Sequence, residues 1–149
     1  MGAVLTNVRS GFTWTPAFIT YGDNNRTQMI RTPEPGHLED RSVSSAFNPY
    51  LTLAAYLGAG LDGIRRQLDP GEPSRENAYA LGFDEMVRRN VQLLPQDLTE
   101  ALDELESDAV VRDSLGPIAE EFLRLKRAEW NEYHRQVTDW EVQRYLTMF

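Results

Sequence analysis

Asn48-Pro49-Tyr50-Leu51-Thr52-Leu53-Ala54-Ala55-Tyr56-Leu57-Gly58-Ala59-Gly60-Leu61-Asp62-Gly63-Ile64 is the stretch that divides this chain into two kinds of structure. Asn is a favoured helix N-cap, and Pro suits the first helical position because its missing N–H has no partner there anyway. Behind them Leu51, Ala54, Ala55, Gly58, Leu61, Ile64 and Leu68 recur at three- and four-residue spacing, which predicts a helix. Its first two turns are nearly all apolar, so it is expected to be buried on most sides. Gly58 and Gly60 each cost about 1 kcal/mol of helix propensity relative to Ala. They are read as points where another backbone comes close. Asp69-Pro70-Gly71-Glu72-Pro73 ends the helix.

Upstream the chain reads as strand and turn. Phe12 to Tyr21 is rich in aromatic and β-branched residues, Gly22-Asp23-Asn24-Asn25 is a turn signal, and Arg26 to Thr32 is a plausible second strand, giving a hairpin. After Pro33-Glu34-Pro35-Gly36, His37 to Val43 is a third extended candidate.

Downstream the chain reads as helix. Leu98, Ala101, Leu102 and Leu105 mark a short helix, and Ser107 or Asp108 can cap a second around Val110 to Leu115. Gly116-Pro117 opens what reads as the longest helix, to about Gln136, with Ile118, Phe122, Leu125, Tyr133 and Val137 near one face. Thr138 and Glu141 have capping-box spacing and restart a last helix. The class is α+β, with strands and loops in 1–47 and helices in 48–149, within a single domain. So short a leading sheet is marginal alone, and the central helix is more apolar than its partners here require. Both features imply neighbours beyond this chain.

Of 149 residues, 41% are hydrophobic and 26% charged, ordinary globular usage. With no cysteine, disulfides, thiolate metal sites and Cys nucleophiles are excluded. No apolar run reaches transmembrane length and no secretory leader is visible, so a cytoplasmic protein is expected. The net charge is −8, with seven acids against seven bases in residues 1–75 and sixteen against eight in residues 76–149. An acidic total argues against nucleic-acid and anionic-membrane partners. Fourteen of the fifteen bases are Arg, whose planar forks suit phosphate and carboxylate.

Arg26, Arg31, His37, Glu39 and Arg41 form the best constellation for chemistry. If 37–41 is extended, His37, Glu39 and Arg41 share one face while Leu38 and Asp40 point the other way. A carboxylate between guanidinium groups can hold a hard cation while the arginines hold anionic oxygens. The competing reading is a solvated strand face of ordinary ion pairs. Arg26 and Arg31 lie five apart and converge only if the backbone bends between them. His134 reads as a surface histidine. No Gly-x-Ser-x-Gly, P-loop, Gly-x-Gly-x-x-Gly or His-Glu-x-x-His is present.

Asn25-Arg26-Thr27-Gln28-Met29-Ile30-Arg31, then Glu39-Asp40-Arg41, Asn48-Pro49-Tyr50-Leu51 and Ala59-Gly60-Leu61-Asp62-Gly63-Ile64 together resemble the C-terminal part of a glutamine synthetase. The likeness continues through Leu94-Pro95 and Val137-Thr138-Asp139-Trp140-Glu141 to Tyr145. Its flavour is that of the divergent group that includes γ-glutamylmethylamide synthetases. The resemblance implies ATP-dependent amide formation, in which glutamate is phosphorylated on its side chain and an amine displaces the phosphate. It implies that Arg26 stabilises the transferring phosphoryl group, Arg31 contacts ATP phosphates, Glu39 is a ligand to Mg²⁺ or Mn²⁺, and Arg41 orients substrate or phosphate oxygens. It implies glutamate and ammonia or a small amine as substrates, and a homo-oligomer with active sites between subunits.

Two positions depart from the family pattern. Trp14, in Trp14-Thr15-Pro16, stands where the family carries its ammonium-binding glutamate, so a primary amine such as methylamine is favoured over ammonia. Tyr79 stands where some bacterial members are adenylylated, though an ordinary loop tyrosine is the simpler reading. The family's N-terminal domain and most of its metal ligands have no counterpart here, so the chain alone is expected to be inactive. The rival reading is a stand-alone, non-catalytic interaction or oligomerisation module, and a third is a simple anion-binding Arg cluster.

Overall fold

The structure, a computed structural model, describes residues 15–80, 83–146 and 148. A three-stranded sheet comes first: β1 (Tyr21–Gly22), β2 (Ile30–Glu34) and β3 (His37–Asp40), in the order β1-β2-β3. Six helices follow: α1 (Pro49–Arg66), α2 (Phe83–Arg88), α3 (Leu98–Ser107), α4 (Ala109–Leu115), α5 (Ile118–His134) and α6 (Asp139–Tyr145). Among the described residues every strand precedes residue 48 and every helix follows it, in the strand-first order expected. None of these helices is long and apolar enough to cross a membrane.

The sheet departs from the predicted leading hairpin. β2 and β3 are antiparallel across Pro35-Gly36, with Gly36 at φ 82°, a left-handed conformation that favours glycine. β1 and β2 are parallel, with Tyr21 opposite Ile30. The reason is the loop between them. Thr27 and Gln28 are buried in it, and the Thr27 hydroxyl accepts from the Ala78 N–H at 3.0 Å and donates to Asn25 Oδ1 at 2.8 Å. The Gln28 and Asn25 side-chain amides both donate to the Glu76 carbonyl at 2.9 Å. Tied to residues 76–78, the loop turns back and re-enters beside β1 in the same direction. The 71–76 segment also crosses β1: the Ser74 N–H donates to the Tyr21 carbonyl at 2.7 Å, and a Cβ on Gly22 would lie 2.0 Å from the Ser74 oxygen.

Beneath the sheet Ala17, Phe18, Ala78 and Met86 form a small core closed by Val91. Phe18 bridges Leu93, so residues 17–19 and 92–94 pair although neither is a full strand. A second buried set, Leu102, Ala119 and Leu123, joins α3 to α5. The face predicted for α5 is therefore rotated: Ala119 and Leu123 point inward, while Ile118, Leu125 and Tyr133 are exposed. Beside this apolar contact Arg127 reaches Asp103 at 2.5 Å and Glu106 at 2.7 Å on α3. The caps at Asn48, Asp108 and Thr138 form as expected, the last as a full capping box with Glu141.

α1 is longer than α5, at 18 residues against 17, and it is not buried. None of its residues is buried; Tyr50, Leu53, Leu57, Leu61 and Ile64 are all exposed. Among the described elements only α4 packs along it, so its apolar surface exceeds what the described residues cover. The two glycines behave differently. A Cβ on Gly58 would fall 1.7 Å from Ser114 Oγ, so that glycine is a close approach to α4, whereas nothing lies within 4 Å of a Cβ on Gly60. Gly58→Ala should destabilise the chain by about 1–2 kcal/mol, since overpacking outweighs the propensity gain. Gly60→Ala should stabilise it by up to about 1 kcal/mol. Urea unfolding of both variants checks the opposite signs. Thr27→Val removes three hydrogen bonds from a buried site and should cost about 1–3 kcal/mol in the same assay.

Candidate functional site

Strand register builds the site. Arg31 lies directly opposite Glu39, and directly opposed residues share one face of the sheet. Between the Arg31–Glu39 and Glu34–His37 pairs, β2 carries one residue more than β3, a bulge that contains Pro33. Proline has no N–H to donate, so it belongs at such an irregularity.

Arg31 grips one carboxylate oxygen of Glu39 twice, from Nε at 2.7 Å and from Nη2 at 2.5 Å. Arg41 Nη1 donates to the other oxygen at 2.8 Å. The side chains of Arg31 and Arg41 are only 16% and 19% exposed, and that of Glu39 is 31% exposed. The Arg31 guanidinium beside Glu39, helped by Arg41, holds its carboxyl below the usual carboxylate range, against the opposing effect of burial. Asn24 completes the Arg31 shell by accepting from Nη1 at 2.9 Å.

Arg26 sits in the turn between β1 and β2 and is exposed. The bend that convergence with Arg31 requires is present. What meets Arg41, however, is the Arg26 carbonyl, which accepts from Arg41 Nε at 3.2 Å. Among the described residues the Arg26 guanidinium forms no ion pair. His37 does not join the cluster: it faces Glu34 at 3.6 Å across the hairpin tip, with both side chains more than half exposed. Asp40 does point away from Glu39, as alternation requires, and accepts from the Ser42 N–H and hydroxyl at 2.6 Å each.

Two tyrosines border the cluster. The Tyr79 hydroxyl donates to the Thr15 carbonyl at 2.6 Å and lies in the field of Arg41; burial pushes its proton affinity up despite that cation. Its role is thus a pin between two loops, a contact that spacing gave no means of finding. On α1, burial and then the neighbouring Asp40 carboxylate push the proton affinity of the Tyr56 hydroxyl up. Nothing in the helix periodicity distinguished Tyr56 from its apolar neighbours. Trp14 lies outside the described residues.

Among the described residues no three His, Asp or Glu side chains gather as a metal cluster. Glu39 is ionised and partly exposed, but guanidinium N–H groups take three of its roughly four acceptor directions, which leaves one for a cation.

The model of the glutamine synthetase catalytic domain matches residues 10–145. The chain belongs to that family. Among glutamine synthetase relatives, the glutamate–methylamine ligase of Methyloversatilis universalis is 49% identical over 140 residues, covering 94% of this chain and 31% of the relative. The glutamine synthetase of Methanococcus maripaludis is 38% identical over 136 residues, covering 88% of this chain and 30% of the relative. A solved structure of GmaS in complex with ADP superposes with a TM-score of 0.84 at 46% identity, covering 92% of this chain and 31% of that one. The chain thus spans about a third of the length of the relatives it matches.

The depressed Glu39 carboxyl has a pH consequence. Because its folded value lies below the ordinary 4.5, the Arg31–Glu39 contact stabilises the fold above that pH and is lost as pH falls through the lowered value. The stability difference between wild type and Arg31→Met should therefore be largest near neutrality and shrink below about pH 4. Denaturant unfolding at pH 7, 5 and 3 checks this.

Proposed function

We propose that this chain is part of an ATP-dependent carboxylate–amine ligase that makes a γ-glutamyl amide from glutamate and a small primary amine. The observation that carries the reading is the Arg31–Glu39–Arg41 cluster, with the exposed Arg26 beside it, in a chain 49% identical to a glutamate–methylamine ligase.

In such a reaction the γ-phosphoryl group of ATP passes to a side-chain carboxylate oxygen of glutamate, giving γ-glutamyl phosphate and ADP. The amine then attacks the carbonyl carbon, the C–O bond to phosphate breaks, and the nitrogen loses a proton. Phosphoryl transfer depends chiefly on positioning and cationic stabilisation, which fixed guanidinium groups supply. Arg26, with its guanidinium unengaged among the described residues, stabilises the transferring group. Arg31 contacts the ATP phosphates and Arg41 orients substrate or phosphate oxygens. Glu39 supplies one carboxylate ligand to Mg²⁺ or Mn²⁺, which neutralises phosphate charge when bound. The remaining ligands come from outside the described residues, so the isolated chain is inactive.

Methylamine is favoured over ammonia by the greater likeness to the methylamine ligase and by Trp14, which stands in the sequence where the family carries its ammonium-binding glutamate and has no carboxylate to offer. In the whole ligase, methylamine should turn over faster than ammonia at equal concentration, and preference for ammonia would remove this assignment.

The exposed apolar surface of α1 favours the second reading, a stand-alone interaction module. Calorimetric titration of Mg²⁺–ATP separates the two. The isolated chain should give no heat, while the whole ligase should bind nucleotide with an affinity that Glu39→Ala weakens at least tenfold. Binding by the isolated chain that Glu39→Ala abolishes would show a self-sufficient site instead.

A further inference from the structure

Arg31 and Arg41 are placed by their side chains, which grip Glu39. Arg26 is placed differently. Its guanidinium forms no ion pair among the described residues, so its aim is set by the backbone that carries it. That backbone is a tight turn over residues 25–28, closed by the Gln28 N–H donating to the Asn25 carbonyl at 3.3 Å, with Arg26 and Thr27 at its centre. Arg41 Nε holds the Arg26 carbonyl at 3.2 Å, while the Arg26 residue itself is exposed.

Asn25 has every polar group engaged around this turn. Its N–H donates to the Asp23 carbonyl at 2.6 Å. Its side-chain oxygen accepts from the Thr27 N–H at 3.0 Å and from the Thr27 hydroxyl at 2.8 Å, so it spans Arg26 from one side to the other. Its side-chain nitrogen donates to the Glu76 carbonyl at 2.9 Å. Gln28 Nε2 donates to the same carbonyl at 2.9 Å, so one acceptor outside the turn anchors it on both sides of Arg26. An Asn side chain bonded to the backbone two residues on mimics and reinforces a backbone turn.

We propose that Asn25 is a positioning residue for phosphoryl transfer: its side chain closes the turn that aims Arg26 and ties that turn to the backbone at residue 76. This rests on the reading of Arg26 given above. Without the Asn25 side chain, the turn keeps its backbone hydrogen bond and the Gln28 anchor but loses the brace across Arg26. A small rotation in the turn moves the far end of so long a side chain much further than it moves the backbone. A guanidinium that stabilises the transferring group only when correctly placed then fails in the transition state, while substrate binding changes little.

The test is steady-state kinetics of the whole ligase carrying Asn25→Ala, Asn25→Ser, Arg26→Ala, and Asn25→Ala with Arg26→Ala. Arg26→Ala should lower kcat about a hundredfold, the scale of one lost transition-state donor. Asn25→Ala should lower kcat about tenfold with KM for ATP within twofold. In the Arg26→Ala background the same change should add less than twofold, because the side chain it aims is already gone. Serine closes such turns more weakly than asparagine, so Asn25→Ser should keep a kcat between those of wild type and Asn25→Ala. A wild-type kcat in Asn25→Ala, an equal further loss in both backgrounds, or a serine variant no faster than the alanine variant overturns the proposal. If Arg26→Ala loses turnover while Asn25→Ala matches wild type, only the positioning role fails. If Arg26→Ala keeps wild-type turnover, the reading of Arg26 fails and takes this role with it.

Discussion

Arg31 binding Glu39 with two of its nitrogens is the contact on which the strand half turns. A guanidinium fork matches a carboxylate only when both side chains leave the sheet on one face at opposed positions, and the β2–β3 register provides that. Arg41 on the second oxygen draws the chain beyond β3 back toward the turn that holds Arg26. Two positive charges on one negative charge leave the cluster net cationic. That balance keeps Glu39 ionised, in a chain whose total charge is strongly negative. The acidic excess lies in the second half of the sequence, while the first half has as many bases as acids.

The sheet beneath is held less by apolar mass than by polar side chains gripping backbone. Thr27, Gln28 and Asn25 bond to residues 76–78, and the core nearby is four residues with Val91 at its edge. Among the described residues the buried Gln28 side-chain oxygen has no hydrogen-bond partner. A loop bound mainly by directional contacts is fixed in position, which suits a segment that carries Arg26 and leads into Arg31.

Helix starts were legible from local signals, because capping depends on a few adjacent residues. Asn48, Asp108 and Thr138 cap where their spacing indicates. Asp40 was placed on the far side of β3 from Glu39 by alternation alone. Facing was less legible. The inward side of α5 was missed because the surface that covers Ala119 and Leu123, on α3 around Leu102, is distant in sequence. The parallel pairing of β1 with β2 was missed because Thr27 and Gln28 read as strand residues while their side chains are committed to residues 76–78. His37 fell away from the cluster because the bulge ends the regular alternation on its partner strand, where Glu34 meets it instead. Tyr56 carried no signal at all: a tyrosine among apolar helix residues looks like packing until the neighbouring Asp40 carboxylate is seen.

The two margins of the sheet are unlike. Along β1, Ser74 donates to the Tyr21 carbonyl, and the Tyr21 hydroxyl bonds to Gly71, so that margin is strapped by the chain itself. Along β3 the sheet ends in the short charged run His37–Asp40 with no further described strand beside it. A sheet so built can be widened on one side only. Any strand laid against it would run along β3, next to the backbone that carries Glu39, so enlargement of the sheet and completion of the charged cluster would happen at the same edge.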